Sequence, residues 1–230
     1  VSSYTPTIRA LTHARRPQPP DSDSTGTAGR GQGRIVAVAM PHTPGASDLL
    51  TAQAEATGLE ERFPGRVTVL TGPDATQDRV LAALPGARWA HFACHGHADL
   101  ENPSASRLLL TDHQQRPLTV VDVARLRLDT AELAFLSACS TAQPGVLTDE
   151  VIHLASAFQL AGYRHVIGTL WPINDQHAVD IATDIYTTLP PPGNSTIDAA
   201  AVLHATTRRI RDRWGREQPW VWASHIHSGA

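Results

Sequence analysis

Two apolar runs in this chain end abruptly in residues able to do thiol chemistry. The first is His91-Phe92-Ala93-Cys94-His95-Gly96. The second is Leu133-Ala134-Phe135-Leu136-Ser137-Ala138-Cys139-Ser140-Thr141. Thiol catalysis needs a nucleophile with a base beside it. A free cysteine is mostly protonated at neutral pH, and a neighbouring imidazole shifts that balance towards thiolate. His95 and Cys139 are therefore a candidate dyad, and the N–H groups of Gly96 and Cys139 are candidate oxyanion donors. Residue type alone leaves a plainer reading open. A buried cysteine at a strand end often serves only as a small hydrophobe, and a lone histidine often has a structural role.

Bringing the two strand ends together requires a particular scaffold. Strand-length apolar runs lie at Ile35–Met40, Val67–Leu70, Trp89–Ala93, Leu133–Ser137 and His165–Leu170. Helix-like segments separate most of them, at about Ala46–Gly58, Ala75–Leu84, Val120–Arg125 and Thr148–Leu160. Short buried runs alternating with helices predict a parallel sheet covered on both faces. Catalytic groups in such sheets gather at the carboxyl ends of the strands, where His95 and Cys139 fall. Thr148 suits an N-cap and Gly162 a stop for the fourth helix, with Asp149 and Glu150 complementing its dipole. Further helices are predicted from near Asn174 to Leu189 and from Thr196 or Asp198 to Trp214. The PWVWASHI tail reads as a final strand.

Residues 12–33 are rich in Pro, Gly, Ser and Thr without an apolar period, which predicts a flexible linker. The expected organisation is thus a junction and linker over 1–33 and one catalytic domain over 34–230. The glycines at 29, 31 and 33 precede the first strand, the wrong context for a phosphate loop. A net charge of -3 argues against a general nucleic-acid surface. No run approaches the roughly 20 apolar residues that span a bilayer. A signal peptide is not evident either, so a cytoplasmic location is expected, with no membrane partner. All 19 basic residues are arginine, which with abundant Ala and Pro fits a bacterial genome rich in G and C. The two cysteines offer no disulfide framework. His91, Cys94, His95 and His97 invite a zinc reading, but strand alternation turns Cys94 away from His91 and His95. No second ligand pair has zinc-finger spacing, so no metal or other cofactor is expected and Cys94 is read as packing.

The blocks HFACHG and LSACST, then LASAFQLAG at 154–162 and GTLWPIND at 168–175, resemble the CHAT family. These are caspase-like cysteine peptidases of the clan that holds caspases, separases and gingipains. The resemblance covers roughly Arg34 to Gly229, and Tyr4–Leu11 is similar to the segment that commonly precedes such domains. It implies a caspase-like three-layer α/β sandwich with a mostly parallel central sheet and helices on both faces. By the same resemblance His95 is the general base and acid, Cys139 the nucleophile, and Gly96 part of the oxyanion hole. The stretch Ala142–Thr148 departs from the family's Gly-rich pattern, so the substrate-binding loop is not mapped.

Asp175 stands four residues after Trp171. In separases such an acid receives an arginine of the substrate, which implies a pocket for a basic side chain. Asp175 also suits a helix cap, and both readings stand. The expected function is a cysteine endopeptidase acting on a protein substrate. A sensor or tetratricopeptide-type module in the same or a partner chain would regulate it. The alternative is a catalytically silent CHAT-like scaffold.

Overall fold

The computed structural model describes residues 3–5, 7–15, 33–99, 101–137, 148–193 and 196–230, with backbone alone for 9, 10, 13 and 148–153. Cys139, Asn194 and Ser195, most of the expected linker, and the side chains of Thr148, Asp149 and Glu150 lie outside the described residues.

Five parallel strands and one antiparallel strand form the main sheet. In chain order they are β1 (Ile35–Ala39), β2 (Val67–Thr71), β3 (Trp89–Ala93), and then, after three short strands, β7 (Leu133–Leu136), β8 (His165–Thr169) and β9 (His225–Gly229). Their spatial order is β2-β1-β3-β7-β8-β9, with only β9 running antiparallel. The short strands β4 (His95–His97), β5 (Arg107–Leu109) and β6 (Leu118–Thr119) make a separate antiparallel sheet that the sequence did not announce. Three and two residues are too few for a visible period of two.

Strand alternation divides the core into two layers. Val36, Val38, Ala90, Phe92, Ala134 and Leu136 face a cluster completed by α3 (Gln77–Ala83), α4 (Val120–Ala124) and α5 (Thr148–Ala161). Ile35, Ala37, Trp89, Leu133, Phe135 and Ile167 face the other cluster. That one is completed by α2 (Ala52–Arg62), α6 (Asp175–Thr188) and α7 (Ala199–Trp214). Helices on both faces of a mostly parallel sheet make the three-layer caspase-like sandwich.

Local chemistry sets the helix ends. The Thr119 side chain and Asp122 form a reciprocal capping box, and the Asp198 carboxylate accepts from Ala201 N at 2.8 Å. Gly162 ends α5 at φ +130°, where a Cβ would meet Leu128 O at 2.3 Å.

Three expected boundaries move. α2 starts at Ala52 and not Ala46, because Pro41, Pro44 and the positive-φ Gly45 hold residues 41–51 as a loop. Thr12–Ala14 belong to α1 (Ile8–Ala14) and not to a linker. The tail is not one strand: Pro219 opens a short α8 (Pro219–Trp222), and pairing with β8 begins only at His225. Tyr4 bridges Ser228, so the chain's beginning lies along β9 at the sheet edge.

Candidate active site

β1 leads to β2 on one side and then to β3 on the other, so the sheet's switch point lies at the carboxyl ends of β1 and β3. Open α/β sheets bind ligands at such a place. A cavity of about 390 Å³ lies there. It is lined by Ser47 and Asp48 of the β1–α2 loop, Glu55 of α2, His95 after β3, Ser137 after β7, and Asp175 of α6.

His95 continues the parity of Trp89, His91 and Ala93 and so opens towards the α2 and α6 side. Its ring is buried, 4% exposed. Nε2 lies 2.7 Å from the Ser47 carbonyl oxygen, an acceptor only, so Nε2 carries the proton. Nδ1 is then left with a lone pair, and it has no hydrogen-bond partner among the described residues. A buried imidazole pinned at one nitrogen with a lone pair at the other is arranged as a base. The loop conformation that displaced the start of α2 is also what brings Ser47 to His95.

Cys94 takes the opposite parity. It is fully buried among Met40, Phe92, Leu108 and Leu110, and burial first, then the Glu55 charge, pushes its thiol well above the ordinary cysteine value. It packs and does not react. Gly96 stands in β4 opposite Leu108. Asp175 is not the cap of α6. That role belongs to Asn174, whose side chain accepts from Gln176 N at 2.9 Å, and this leaves the half-buried Asp175 side chain at the cavity wall.

Sequence reasoning overlooked a run of polar contacts that starts at the cavity wall. Ser137 Oγ donates to Glu55 Oε1 at 3.1 Å. Glu55 Oε2 lies 3.1 Å from His91 Nε2, and His91 Nδ1 lies 3.0 Å from the Tyr186 hydroxyl. Burial first, then the Glu55 charge, raises the Tyr186 phenol well above its ordinary value, so it stays protonated. Glu55 gave no signal because one charged residue in a helix period looks like a solvent-facing position.

Three carboxylates line the cavity, from Asp48, Glu55 and Asp175, and no arginine among the described residues does. Asp48 is exposed and contacts His42 at 2.9 Å. Of the tryptophans, Trp214 and Trp222 pack against the core, whereas Trp220 is 58% exposed. No group of three or more His, Cys, Asp or Glu among the described residues could hold a metal ion. No helix among them is long and apolar enough to cross a membrane.

Comparison with known proteins bears on family and fold. The family model described as CHAT domain matches residues 1–230. Tetratricopeptide repeat protein 28 of Homo sapiens is 25% identical over 272 aligned residues, covering 98% of this chain and 10% of that protein. The chain thus spans about a tenth of that relative. Among solved structures, the Arg specific cysteine proteinase gingipain R aligns with a TM-score of 0.56 at 14% identity. The alignment covers 86% of this chain and 46% of that one. The Saccharomyces cerevisiae separase–securin complex aligns with a TM-score of 0.56 at 12% identity, over 87% of this chain and 12% of that one. At these identities the likeness is one of fold.

Proposed function

The chain belongs to the CHAT domain family, and on that premise we propose that it is a cysteine peptidase in which Cys139 is the nucleophile and His95 the base. The observation that carries the reading is His95 itself: buried at the switch point, pinned through Nε2 to Ser47, with Nδ1 open. Cys139 follows Ser137, a cavity-lining residue, by two positions.

In the proposed cycle His95 Nδ1 takes the Cys139 thiol proton, and the thiolate attacks the scissile carbonyl carbon. The Gly96 and Cys139 N–H groups receive the oxyanion. The imidazolium then protonates the leaving amine, giving a thioester. Water, deprotonated by the same nitrogen, attacks the thioester and releases the acid and the thiol. The Ser47 carbonyl orients the imidazole. The acidic cavity, with Asp175 on its wall, fits a basic residue at the cleavage position. Gingipain R, a solved structure of the same fold, is titled Arg specific. Regulation by a tetratricopeptide-type module in the same or a partner chain is consistent with the human relative's name.

The test is labelling of the native full-length protein with a peptidyl acyloxymethyl ketone ending in arginine, read by intact mass. Labelling is expected in the wild type, absent in Cys139→Ala and His95→Ala, and weak with an aspartate-ended probe. Full-length protein that no probe labels would instead support the scaffold reading.

A further inference from the structure

Most buried carboxylates in folded proteins are paired with a cation, because an unpaired buried charge is costly. Glu132 follows the rule: its 2%-exposed side chain pairs with Arg88 at 3.3 Å and accepts from Trp89 Nε1 at 2.8 Å. Glu55 does not. Its side chain is 4% exposed, no arginine among the described residues lies within ion-pair distance, and its contact at that range is with His91 Nε2 at 3.1 Å. Ser137 supplies one hydrogen bond to Oε1. Oε2 has none among the described residues, since its 3.1 Å contact with His91 Nε2 lacks hydrogen-bond alignment. The other His91 ring nitrogen, Nδ1, lies 3.0 Å from the Tyr186 hydroxyl. Burial first, and then the charge of Glu55, raises both Cys94 and Tyr186. The same carboxylate lines the cavity shared by His95 and Asp175.

We infer that Glu55 is the deep anionic contact of this cavity and that it receives the cationic end of an arginine-like side chain, with Asp175 as a second carboxylate on the wall. The inference rests on the cavity being the substrate pocket. A planar guanidinium can reach two carboxylates at once, since its donors point in fixed, divergent directions, whereas an ammonium acts as a point charge. Glu55 would thus be a specificity-determining residue, with the hydrogen bond from Ser137 Oγ orienting its carboxylate.

Benzamidine, an amidinium on a flat ring, is the probe, with uncharged benzamide of the same shape as its control. Calorimetric titration of the full-length protein needs no turnover. Benzamidine is expected to bind wild type and Cys139→Ala alike, and benzamide at least about tenfold more weakly, as a lost charged hydrogen bond implies. Glu55→Gln, which keeps the shape, is expected to weaken benzamidine by a similar factor, and Asp175→Asn by less. Equal affinity in wild type and Glu55→Gln overturns the inference, as does equal binding of benzamidine and benzamide to wild type, a comparison that needs no variant to fold. Failure of the peptidase reading looks different: benzamidine binds in a Glu55-dependent way while no peptidyl probe labels Cys139.

Discussion

Glu132 and Glu55 are both buried carboxylates, and they sit at opposite ends of one parallel sheet. Glu132 and Arg88 directly precede β7 and β3, at the amino ends of the strands, where each charge finds a partner inside the fold. Glu55 hydrogen-bonds Ser137, directly past the carboxyl end of β7, and His95 Nδ1, in the same cavity wall, has no hydrogen-bond partner among the described residues. The amino end pairs its charges internally, whereas at the carboxyl end Glu55 Oε2 and His95 Nδ1 have no hydrogen-bond partner among the described residues. Changes at the first end should therefore act on stability, and changes at the second on ligand and substrate.

The sharpest break between the ends is expected from His95→Ala. Loss of a positioned base should slow labelling or turnover by about 10²–10⁴-fold. Unfolding stability should change by only about 1 kcal/mol, the worth of the Ser47 hydrogen bond. Urea unfolding beside a labelling time course separates the two effects. A stability loss several times larger would place His95 among the structural residues.

At the amino end Glu132→Ala should do the reverse. It removes the carboxylate that Arg88, 8% exposed at its side chain, pairs with at 3.3 Å, and should cost about 3–5 kcal/mol in denaturant unfolding. Labelling of the protein that remains folded should proceed at the wild-type rate.

Acid should act through the same structural end, at His165 on the first residue of β8. Burial holds His165 and its 3.1 Å neighbour His227 at about 4, where the unfolded chain titrates near 6.5. Between those values the unfolded chain binds protons that the folded chain refuses. Stability is then complete above pH 6.5 and falls as the pH drops towards 4. One such ring contributes about 3 kcal/mol, and the pair titrates jointly. Unfolding midpoints at pH 7 and pH 4.5 should differ accordingly, and His227→Gln should shrink the difference. An equal midpoint at both values would show that burial does not hold these rings neutral.

The same division explains what could be read in advance. Layer order, five of the six main strands and the facing of Cys94 against His95 all follow from apolar alternation, a signal carried by neighbours along the chain. Asp175 was ambiguous between cap and pocket because both need an acid at a helix start, and only Asn174 taking the cap separates them. Ser47 and Glu55 were invisible. Ser47 acts through its backbone carbonyl, which any residue would provide, and the polar chain joins Glu55 on α2, His91 on β3, Ser137 past β7 and Tyr186 on α6. The short second sheet escaped for a related reason, since His95–His97 pairs with strands too brief to show a period.

The smallest effect expected is on the stability of Glu55→Gln, and it bears most directly on the comparison. Gln keeps the size of the side chain and can still accept from Ser137, but it removes a buried carboxylate that no arginine among the described residues pairs with. Exchanging such a charge for a neutral isostere is often neutral or stabilising, so unfolding should shift by no more than about 1 kcal/mol and upward if at all. A loss of 3 kcal/mol or more, on the order of that expected at Glu132, would mean that His91 is a charged partner. Glu55 would then belong to the structural end of the sheet. A neutral or positive shift together with weaker benzamidine binding would show stability given up locally for recognition.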